Sequence, residues 1–539
     1  MLSQVKNKHL RYILLSSISA IFMALAWQPF KALPFIFIGL IPLFYLETEI
    51  RKNHPQSSRL PFFAYTFLSL FLFNCITVYW IWNASPEGAI AAFFINTLMM
   101  TLPLFLFHII QTREGNTNKM WTFIFLWLSY EWLHTNWQLS FPWLSFGNVF
   151  SYTPVLVQWY EYTGVAGGSL WVVLVNYKLY KLINTWKERI PNDNYGKVFN
   201  IAFFYLFTPI FLSLYIADNR HEREASTKRQ KADIVVVQPN IDPYKDKFKG
   251  MTPEAQTDKI LALAEIKTDS LTQFVIMPET ALLGGLEEGN LQNAAVYQKV
   301  LGFLEKHPNI GLLSGADTYR FYQSNNKPTI TARKYSDGLF YDVYNTAMYL
   351  SKFDSLQIYH KSKLVPGVER MPYPEIFGFL EKVSINLGGT SGSLASDKET
   401  KVFYSYKKTK LAPVICFESV FPDYVAGYVK KGADIICIIT NDGWWGNTPG
   451  YRQHFDFARL RAIENRRWVA RSANTGISGF IDEEGNIVNQ SEWWKEAVLR
   501  AKVPLHKEET FFTQNGDLIG FWAMVLGVFE VFKLLKRKR

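Results

Sequence analysis

The sequence has few cysteines and few charged residues for its length. Its 539 residues include three cysteines, Cys75, Cys416 and Cys437, too few for a disulfide-stapled scaffold. Charged residues make up 19% of the chain, hydrophobic residues 49% and aromatic residues 16%. A typical soluble domain is about 25% charged. This composition excludes an intrinsically disordered chain, a collagen and a coiled coil.

Signals for a bound cofactor are missing as well. The sequence has no glycine-rich phosphate loop of the form G-x-x-x-x-G-K-[ST], and no His, Cys and carboxylate cluster with metal-ligand spacing. We therefore expect no cofactor and no metal. The formal net charge of +11 would suit nucleic acid, but the basic residues lie between apolar runs, where they indicate membrane topology. We expect no nucleic-acid partner.

Long apolar runs dominate both ends of the chain. A helix needs roughly 20 apolar residues to cross the hydrocarbon core of a bilayer. We predict eight spans, near residues 12–27, 33–46, 62–83, 89–110, 120–135, 165–184, 199–217 and 516–535. The second and fifth are short or interrupted. The first run is followed by Trp27-Gln28-Pro29-Phe30 and by further spans, not by a small-residue cleavage site, so we interpret it as a span and not a signal peptide.

Basic residues lie in alternate loops between these spans. Lys6, Lys8 and Arg11 precede the first span and residues 536–539 end the chain, whereas the opposite set of loops holds only Lys31. Because Lys and Arg accumulate in cytoplasmic loops, both termini are predicted to be cytoplasmic and residues 218–515 to lie on the outer side. The predicted domains are a seven-span bundle at 1–217, a linker at 218–231, a soluble domain at 232–505, and a last span with a basic tail at 506–539.

The soluble part alternates short β-branched runs with amphipathic helices. The strand-like runs are Ala232–Gln238, Phe274–Met277, Ile310–Ser314, Leu411–Cys416 and Asp434–Thr440. The helix-like runs are Thr252–Ser270, Leu291–His307 and Tyr451–Arg467, and residues 478–488 resemble a hairpin. This pattern predicts an α/β domain with a sheet covered by helices.

Three residues suited to covalent catalysis stand near predicted strand ends. Glu279 follows a strand and Pro278, Lys361 precedes Leu364-Val365-Pro366, and Cys416 ends a strand-like run. Each alone has an ordinary explanation, as a solvated turn residue or an inert buried cysteine. Together they supply a thiolate nucleophile, a carboxylate that accepts its proton and an ammonium that stabilises an oxyanion.

The segments around these residues resemble the Glu-Lys-Cys signature of the nitrilase superfamily. The matching segments are Met277-Pro278-Glu279, Tyr359-x-Lys361-x-x-Leu364-Val365-Pro366 and Ile415-Cys416-Phe417-Glu418, supported by Val237–Ile241 and Asn441–Gly446. With eight spans added, nearly the whole chain is similar to the bacterial apolipoprotein N-acyltransferase family. Gly367-Val368 departs from the usual Phe-Gly of that family. The resemblance implies a nitrilase-like αββα sandwich in the periplasm, attached to a helical bundle in the inner membrane.

The resemblance also implies the reaction and the principal residues. Cys416 would attack an ester of a phospholipid, expected to be phosphatidylethanolamine, and form a thioester. The acyl chain would then pass to the α-amino group of the S-diacylglyceryl-cysteine of an apolipoprotein. Glu279 would be the proton acceptor, and Lys361 would stabilise the oxyanion together with the backbone N–H of Phe417. The enzyme is expected to be a monomer.

Several further residues have two interpretations from sequence. Glu369 and Glu418 are expected to support Lys361 or Glu279, although Glu418 would also suit a helix cap. Trp444 and Trp445 would line the acyl pocket or form core packing. His454, with Arg459 and Arg461, is interpreted as part of a surface-paired helix, and residues 244–248 as a surface loop or an arm over the membrane.

Two other functions remain open at this stage. A membrane-tethered nitrilase-type amidase would need the same three residues, although one span would suffice as its tether. A transporter or assembly platform with an inactive outer domain would need polar residues paired within the spans. The candidates for such pairs are His108, Glu131 and Glu161.

Overall fold

The chain forms two compact units in the computed structural model. The structure describes residues 6–54, 56–114, 120–187, 192–248, 250–324, 326–377 and 393–536. The first unit comprises Met1–Arg220 with Asp517–Arg539, and the second comprises His221–Gly516.

The first unit is helical. Its N-terminal part contains α1 (Lys8–Leu25), α2 (Ile41–Asn53), α3 (Arg59–Thr77), α4 (Ile81–Ala84), α5 (Pro86–Glu114), α6 (Met120–Thr135), α7 (Tyr160–Lys187) and α8 (Asn192–Ser226). Single 3-10 turns occupy Leu33–Phe37, Pro142–Leu144, Phe146–Tyr152 and Pro154–Leu156. Asn7 starts α1 because its side chain accepts a hydrogen bond from the backbone N–H of Leu10.

All eight predicted spans overlap helical segments. Within the described residues, six stretches are long and apolar enough to cross a membrane: Lys8–Leu25, Leu33–Asn53, Arg59–Thr77, Pro86–Arg113, Phe199–Glu222 and Leu518–Lys536. The predicted fifth and sixth spans are not among them. They correspond to α6, which has 16 residues, and to the part of α7 that follows the non-helical Gly164. Helix α8 also continues to Ser226, into the stretch predicted as a linker.

Buried polar side chains join helices of the first unit. The ring of His108 in α5 lies 3.0 Å from Glu47 Oε1 and 3.0 Å from Ser58 Oγ. Glu131 accepts hydrogen bonds from Trp127 and from the backbone of Phe146. Polar groups in a membrane span are stabilised by partners of this kind, and these contacts tie neighbouring segments of the bundle together.

Within the residues that the structure describes, the second unit contains fourteen strands. They are β1 (Lys231–Gln238), β2 (Phe274–Ile276), β3 (Leu282–Glu287), β4 (Gly311–Gln323), β5 (Arg333–Ser336), β6 (Leu339–Ser351), β7 (Gln357–His360), β8 (Phe403–Tyr404), β9 (Lys410–Ile415), β10 (Ile435–Thr440), β11 (Val469–Ala473), β12 (Gly479–Ile481), β13 (Ile487–Gln490) and β14 (Ala497–Pro504). One sheet has the order β14-β1-β2-β4-β6-β5, with β3 on β4 and β7 on β6, and the other has the order β13-β12-β11-β10-β9-β8.

The two sheets face each other, and helices cover their outer faces. The covering helices are α9 (Pro253–Lys267), α10 (Ala295–Lys306), α12 (Pro422–Lys430) and α13 (Pro449–Asn465). The short α11 (Pro374–Phe377) lies between β7 and β8 in the chain, and α14 (Phe511–Asn515) packs against α12 and α13 before α15 (Leu518–Lys536) returns to the first unit. Alternate residues of β1 face opposite sides. Val236 belongs to the core shared with β9 and β10, whereas Val235 belongs to the core shared with α9 and α10. The predicted αββα sandwich is therefore confirmed.

The three predicted catalytic residues lie just beyond strand ends. Strands β1, β2 and β4 run parallel in one sheet, and β9, β10 and β11 run parallel in the other. Glu279 follows β2, Lys361 follows β7 and Cys416 follows β9. Side chains beyond the carboxyl ends of strands are the usual site of chemistry in α/β folds.

Candidate active site

Lys361 lies between two carboxylates in the interior of the second unit. Its ammonium donates to Glu369 Oε1 at 2.8 Å and to Glu279 Oε1 at 3.1 Å. Only 1% of the Lys361 side chain is exposed. Burial opposes its charge, but the carboxylates of Glu279 and Glu369 outweigh burial, and the pKa of Lys361 lies well above its usual value. The ammonium therefore stays charged at neutral pH.

The same two carboxylates share a second donor. The side-chain amide of Asn345, in β6, donates to Glu279 Oε1 at 2.8 Å and to Glu369 Oε1 at 3.1 Å. Glu369 Oε2 accepts the backbone N–H of Val365 at 2.8 Å. Glu369 is thus held by its own loop while it contacts Lys361, despite the Gly367-Val368 departure.

Cys416 adopts a left-handed backbone conformation at the end of β9. Its φ is 47°, which an L-residue rarely adopts, and a short 3-10 turn, Cys416–Val420, follows at once. Burial raises the pKa of the Cys416 thiol well above its usual range; the carboxylates of Glu279 and Asp442 raise it further, and Lys361 lowers it. The resting group is therefore a thiol that needs a proton acceptor.

Glu418 connects the segments that carry Lys361 and Cys416. Its Oε1 accepts the backbone N–H of Ser362 at 2.7 Å, and its Oε2 accepts the backbone N–H of Ile415 at 2.9 Å. The hydroxyl of Tyr359 donates to Oε1 at 2.5 Å. Glu418 is fully buried, and burial raises its pKa. It contacts neither the Lys361 ammonium nor Glu279 through any hydrogen bond within the described residues, so it orders the backbone on both sides of the site.

Asp442, His454 and Arg471 form a buried cluster near Cys416. Asp442 Oδ1 is 2.9 Å from His454 Nδ1, and Arg471 Nη2 donates to Asp442 Oδ2 at 2.6 Å. Burial and Arg471 lower the pKa of His454. Burial disfavours the charge of Asp442, but Arg471 and His454 outweigh burial and hold its pKa well below its usual range.

Ligand-type atoms of Cys416, Asp442 and His454 lie within 4.8 Å of one another, a spacing that a metal ion would require. The guanidinium of Arg471 lies beside two of these groups: Nη2 is 2.6 Å from Asp442 Oδ2 and 3.1 Å from His454 Nδ1. A fixed positive charge among the ligand atoms opposes a metal cation.

The segment that precedes α9 contributes a second buried ammonium. Lys247 donates to the backbone carbonyl of Glu279 at 3.1 Å and to the hydroxyl of Thr280 at 2.7 Å. Its side chain is buried, and burial lowers its pKa to about 8. The interpretation of residues 244–248 as a surface loop is therefore wrong for Lys247, which supports the turn that presents Glu279.

The two tryptophans have different neighbours. The ring of Trp444 stacks on Phe248 at 6.1 Å between centroids, and its carbonyl accepts the hydroxyl of Tyr244 at 2.7 Å. Trp445 lies edge-on to His454 at 5.5 Å. Both tryptophans are partly exposed, so neither belongs to the fully buried core.

The structure brings together Glu279, Lys361 and Glu369, and Glu279 and Lys361 both shift the pKa of Cys416. Sequence reasoning missed Asn345, Lys247 and the cluster around His454. The interpretation of His454 as part of a surface helix is wrong, because His454 and Arg461 are both fully buried. Its neighbour Gln453 is buried as well, and α13 is buried on nearly all sides, which its polar sequence does not indicate.

This chain is similar to known proteins over nearly its whole length. A family model described as the apolipoprotein N-acyltransferase N-terminal domain matches residues 19–177, and a carbon-nitrogen hydrolase model matches residues 223–511. An apolipoprotein N-acyltransferase from Chlorobaculum tepidum is 32% identical over 95% of this chain and 93% of its own length. Another from Geobacter metallireducens is 25% identical over 98% and 96%. A crystal structure of a Saccharomyces cerevisiae protein from branch 10 of the nitrilase superfamily is 17% identical, covers 53% of this chain and 95% of its own, and has a TM-score of 0.37.

Proposed function

This chain belongs to the apolipoprotein N-acyltransferase family, and on that premise we propose that Cys416, Glu279 and Lys361 carry out its acyl transfer. The chain is an N-acyltransferase of the carbon-nitrogen hydrolase superfamily and an inner-membrane protein. Its family function implies a phospholipid donor and lipoprotein acceptors. The observation that supports the assignment of residues is the buried Lys361 ammonium, which contacts Glu279 beside a thiol whose pKa responds to both.

In the first half-reaction, Cys416 Sγ attacks the ester carbonyl of the phospholipid while Glu279 accepts the thiol proton. The carbonyl oxygen becomes an oxyanion, which the Lys361 ammonium and the Phe417 backbone N–H stabilise. The carbon–oxygen ester bond then breaks, and the glycerol oxygen takes the proton from Glu279. The products are a thioester on Cys416 and a lysophospholipid.

In the second half-reaction, the α-amino group of the lipoprotein attacks the thioester. Glu279 accepts a proton from the nitrogen, the carbon–sulfur bond breaks, and Cys416 recovers its proton. The two steps are joined by one covalent acyl-enzyme on Cys416, so ping-pong kinetics are expected. Because the thiol has a raised pKa, acylation depends on Glu279 and not on a standing thiolate.

The finer assignments belong to the same proposal. The donor is phosphatidylethanolamine, and Trp444 and Trp445 line the acyl pocket, where partly exposed aromatic rings suit an acyl chain. Residues 232–505 form the catalytic domain in the periplasm, residues 1–217 and 506–539 hold the spans, and both termini are cytoplasmic. A monomer suffices, since one chain supplies the three residues.

Intact-mass spectrometry tests the proposal. Wild-type protein in phospholipid-containing detergent should gain one acyl chain, labile to hydroxylamine, and should lose it when a diacylglyceryl peptide is added. Cys416→Ser should gain none, whereas Cys437→Ser, which changes a buried cysteine in β10, should behave as wild type. If the adduct is hydrolysed and no acyl chain reaches the added peptide, the amidase is favoured. The absence of any adduct on wild-type protein would refute the proposed mechanism.

A further inference from the structure

Two side chains contact the carbonyl of the Cys416–Phe417 peptide, which points away from the N–H of the same peptide. The carbonyl of Cys416 accepts the hydroxyl of Ser419 at 2.7 Å and lies 3.2 Å from His454 Nε2. Ser419 and His454 are both fully buried, and their contacting atoms are 2.9 Å apart. Two side chains therefore converge on one carbonyl oxygen.

Two contacts of His454, with the Cys416 carbonyl and with Arg471, favour a hydrogen on Nε2. A carbonyl oxygen has no hydrogen, so the contact with Nε2 is attractive only if Nε2 carries one. At the other ring nitrogen, Arg471 Nη2 approaches Nδ1 at 3.1 Å and supplies an N–H to the neutral ring. Asp442 Oδ1, at 2.9 Å, accepts from Nδ1 if the ring is protonated. Nε2 keeps its hydrogen in both forms.

The two partners of His454 are themselves fixed. Asp442 Oδ1 accepts the hydroxyl of Thr440 at 2.7 Å, and Arg471 Nε donates to the carbonyl of Ile477 at 3.2 Å. Asp442, Arg471 and Thr440 are all fully buried. The imidazole is thus oriented by groups on β10, the 3-10 turn Asp442–Trp445 and β11.

A trans peptide is planar, and its C=O and N–H point in opposite directions. An atom that holds the Cys416 carbonyl therefore also sets the direction of the Phe417 N–H. Among the residues that the structure describes, none accepts this N–H in a hydrogen bond. The left-handed φ of Cys416, 47°, is a conformation that persists only where its surroundings determine it.

We propose that His454, oriented by Asp442 and Arg471, is a positioning residue that aims the Phe417 N–H at the oxyanion by holding the carbonyl of the same peptide. The inference rests on the proposed function, in which that N–H stabilises the tetrahedral intermediate. The contact through which His454 acts in this proposal is the Cys416 carbonyl and not the Sγ atom. Its effect passes through one rigid peptide, so it acts on the formation of the oxyanion and not on the reactivity of the thiol.

Two rates measured on Cys416 separate this role from a general structural one. The first is the single-turnover rate of acyl-enzyme formation with phospholipid, which passes through an oxyanion. The second is the rate of alkylation by iodoacetamide, a direct displacement at carbon that forms none. His454→Phe keeps a ring but loses the donor. We expect its acylation to slow by about 10- to 100-fold, somewhat less than the 10²–10³ lost when an oxyanion donor is removed outright, with alkylation within about twofold of wild type.

Two further variants complete the test. His454→Gln supplies an amide N–H to the same carbonyl and should recover most of the acylation rate. His506→Phe removes another buried histidine of the same unit and should change neither rate. If acylation and alkylation fall together in His454→Phe, or if acylation is unchanged, the inference is wrong while the proposed function stands. If wild-type protein forms no acyl-enzyme, the proposed function itself fails.

Discussion

Glu418 accepts the backbone N–H of Ser362 at 2.7 Å, directly after Lys361 in the chain. Its other oxygen accepts the backbone N–H of Ile415 at 2.9 Å, directly before Cys416. One buried carboxylate therefore ties together the backbone positions beside two of the three proposed catalytic residues, which lie on different sheets.

The first prediction concerns this tie. Glu418→Gln replaces one carboxylate oxygen with an NH₂ group. That group is a donor, and it would face a backbone N–H, which is also a donor. An unsatisfied buried donor costs about 1–3 kcal/mol, so the thermal unfolding midpoint should fall and acyl-enzyme formation should slow. Glu496→Gln, at an exposed glutamate, is the matched control and should change neither. Normal acylation by Glu418→Gln would show that the tie is dispensable.

The second prediction is a pH-dependent stability from His360, which lies 2.6 Å from Glu288 and 3.0 Å from Asp397. Burial lowers the pKa of His360, but Asp397 and Glu288 outweigh burial and raise it above its usual value. The stabilisation is therefore complete below about pH 6.5, the pKa of an unfolded histidine, and is lost as pH rises through the raised value. Glu288 and Asp397 have lowered pKa values, so the stabilisation that their ionised forms contribute is lost only under acid conditions.

Thermal unfolding midpoints between pH 5.5 and 8.5 test this dependence. Relative to wild type, His360→Gln should lose most stability near the acid end of that range, and the two curves should converge as pH rises. His307→Gln removes a more exposed histidine paired with Glu265 and should show a much smaller difference. Parallel curves for wild type and His360→Gln would contradict the assignment.

The motifs that carry the proposed catalytic residues are visible in the sequence, whereas the residues that contact those motifs in the fold are not. Glu279, Lys361 and Cys416 stand in contiguous motifs at strand ends, so local patterns were enough to propose them as catalytic residues. Asn345 was missed because it lies within β6, and nothing local separates a polar residue aimed at a site from one aimed at solvent. His454 was missed because its partners, Asp442 and Arg471, come from other elements. Their proximity depends on the parallel register of β10 and β11, which no short motif encodes.

The third prediction concerns Lys247, whose ammonium donates to the Glu279 carbonyl and the Thr280 hydroxyl. Thr280 has a left-handed φ of 48°, so the turn needs such external support. Lys247→Met keeps the stem but removes both hydrogen bonds, and we expect acyl-enzyme formation to slow by roughly tenfold, as for the loss of about 1.4 kcal/mol of positioning. Lys245→Met, at an exposed lysine two residues away, should leave the rate unchanged. Equal rates of acyl-enzyme formation in the two variants would show that Lys247 does not support the active site.

The last prediction tests how closely Glu279 must be placed. Gly315, in β4, packs against the turn that carries Glu279, and a Cβ at this position would lie 2.6 Å from the Glu279 Cα and 2.4 Å from the Thr280 nitrogen. Both atoms belong to the backbone, so the turn itself must move to admit a methyl group. A displacement of about 1 Å can cost 10²-fold in rate.

Gly315→Ala should therefore slow acyl-enzyme formation by about 100-fold, and its iodoacetamide alkylation should fall as well if Glu279 takes the proton of Cys416. Gly302→Ala is the control, because a Cβ there meets no other group within 4 Å and alanine favours the surrounding helix α10. That variant should keep the wild-type rate with an equal or higher unfolding midpoint. Full acylation by Gly315→Ala would mean that the reaction tolerates a displaced Glu279, and the carboxylate would then lose its proposed role as proton acceptor.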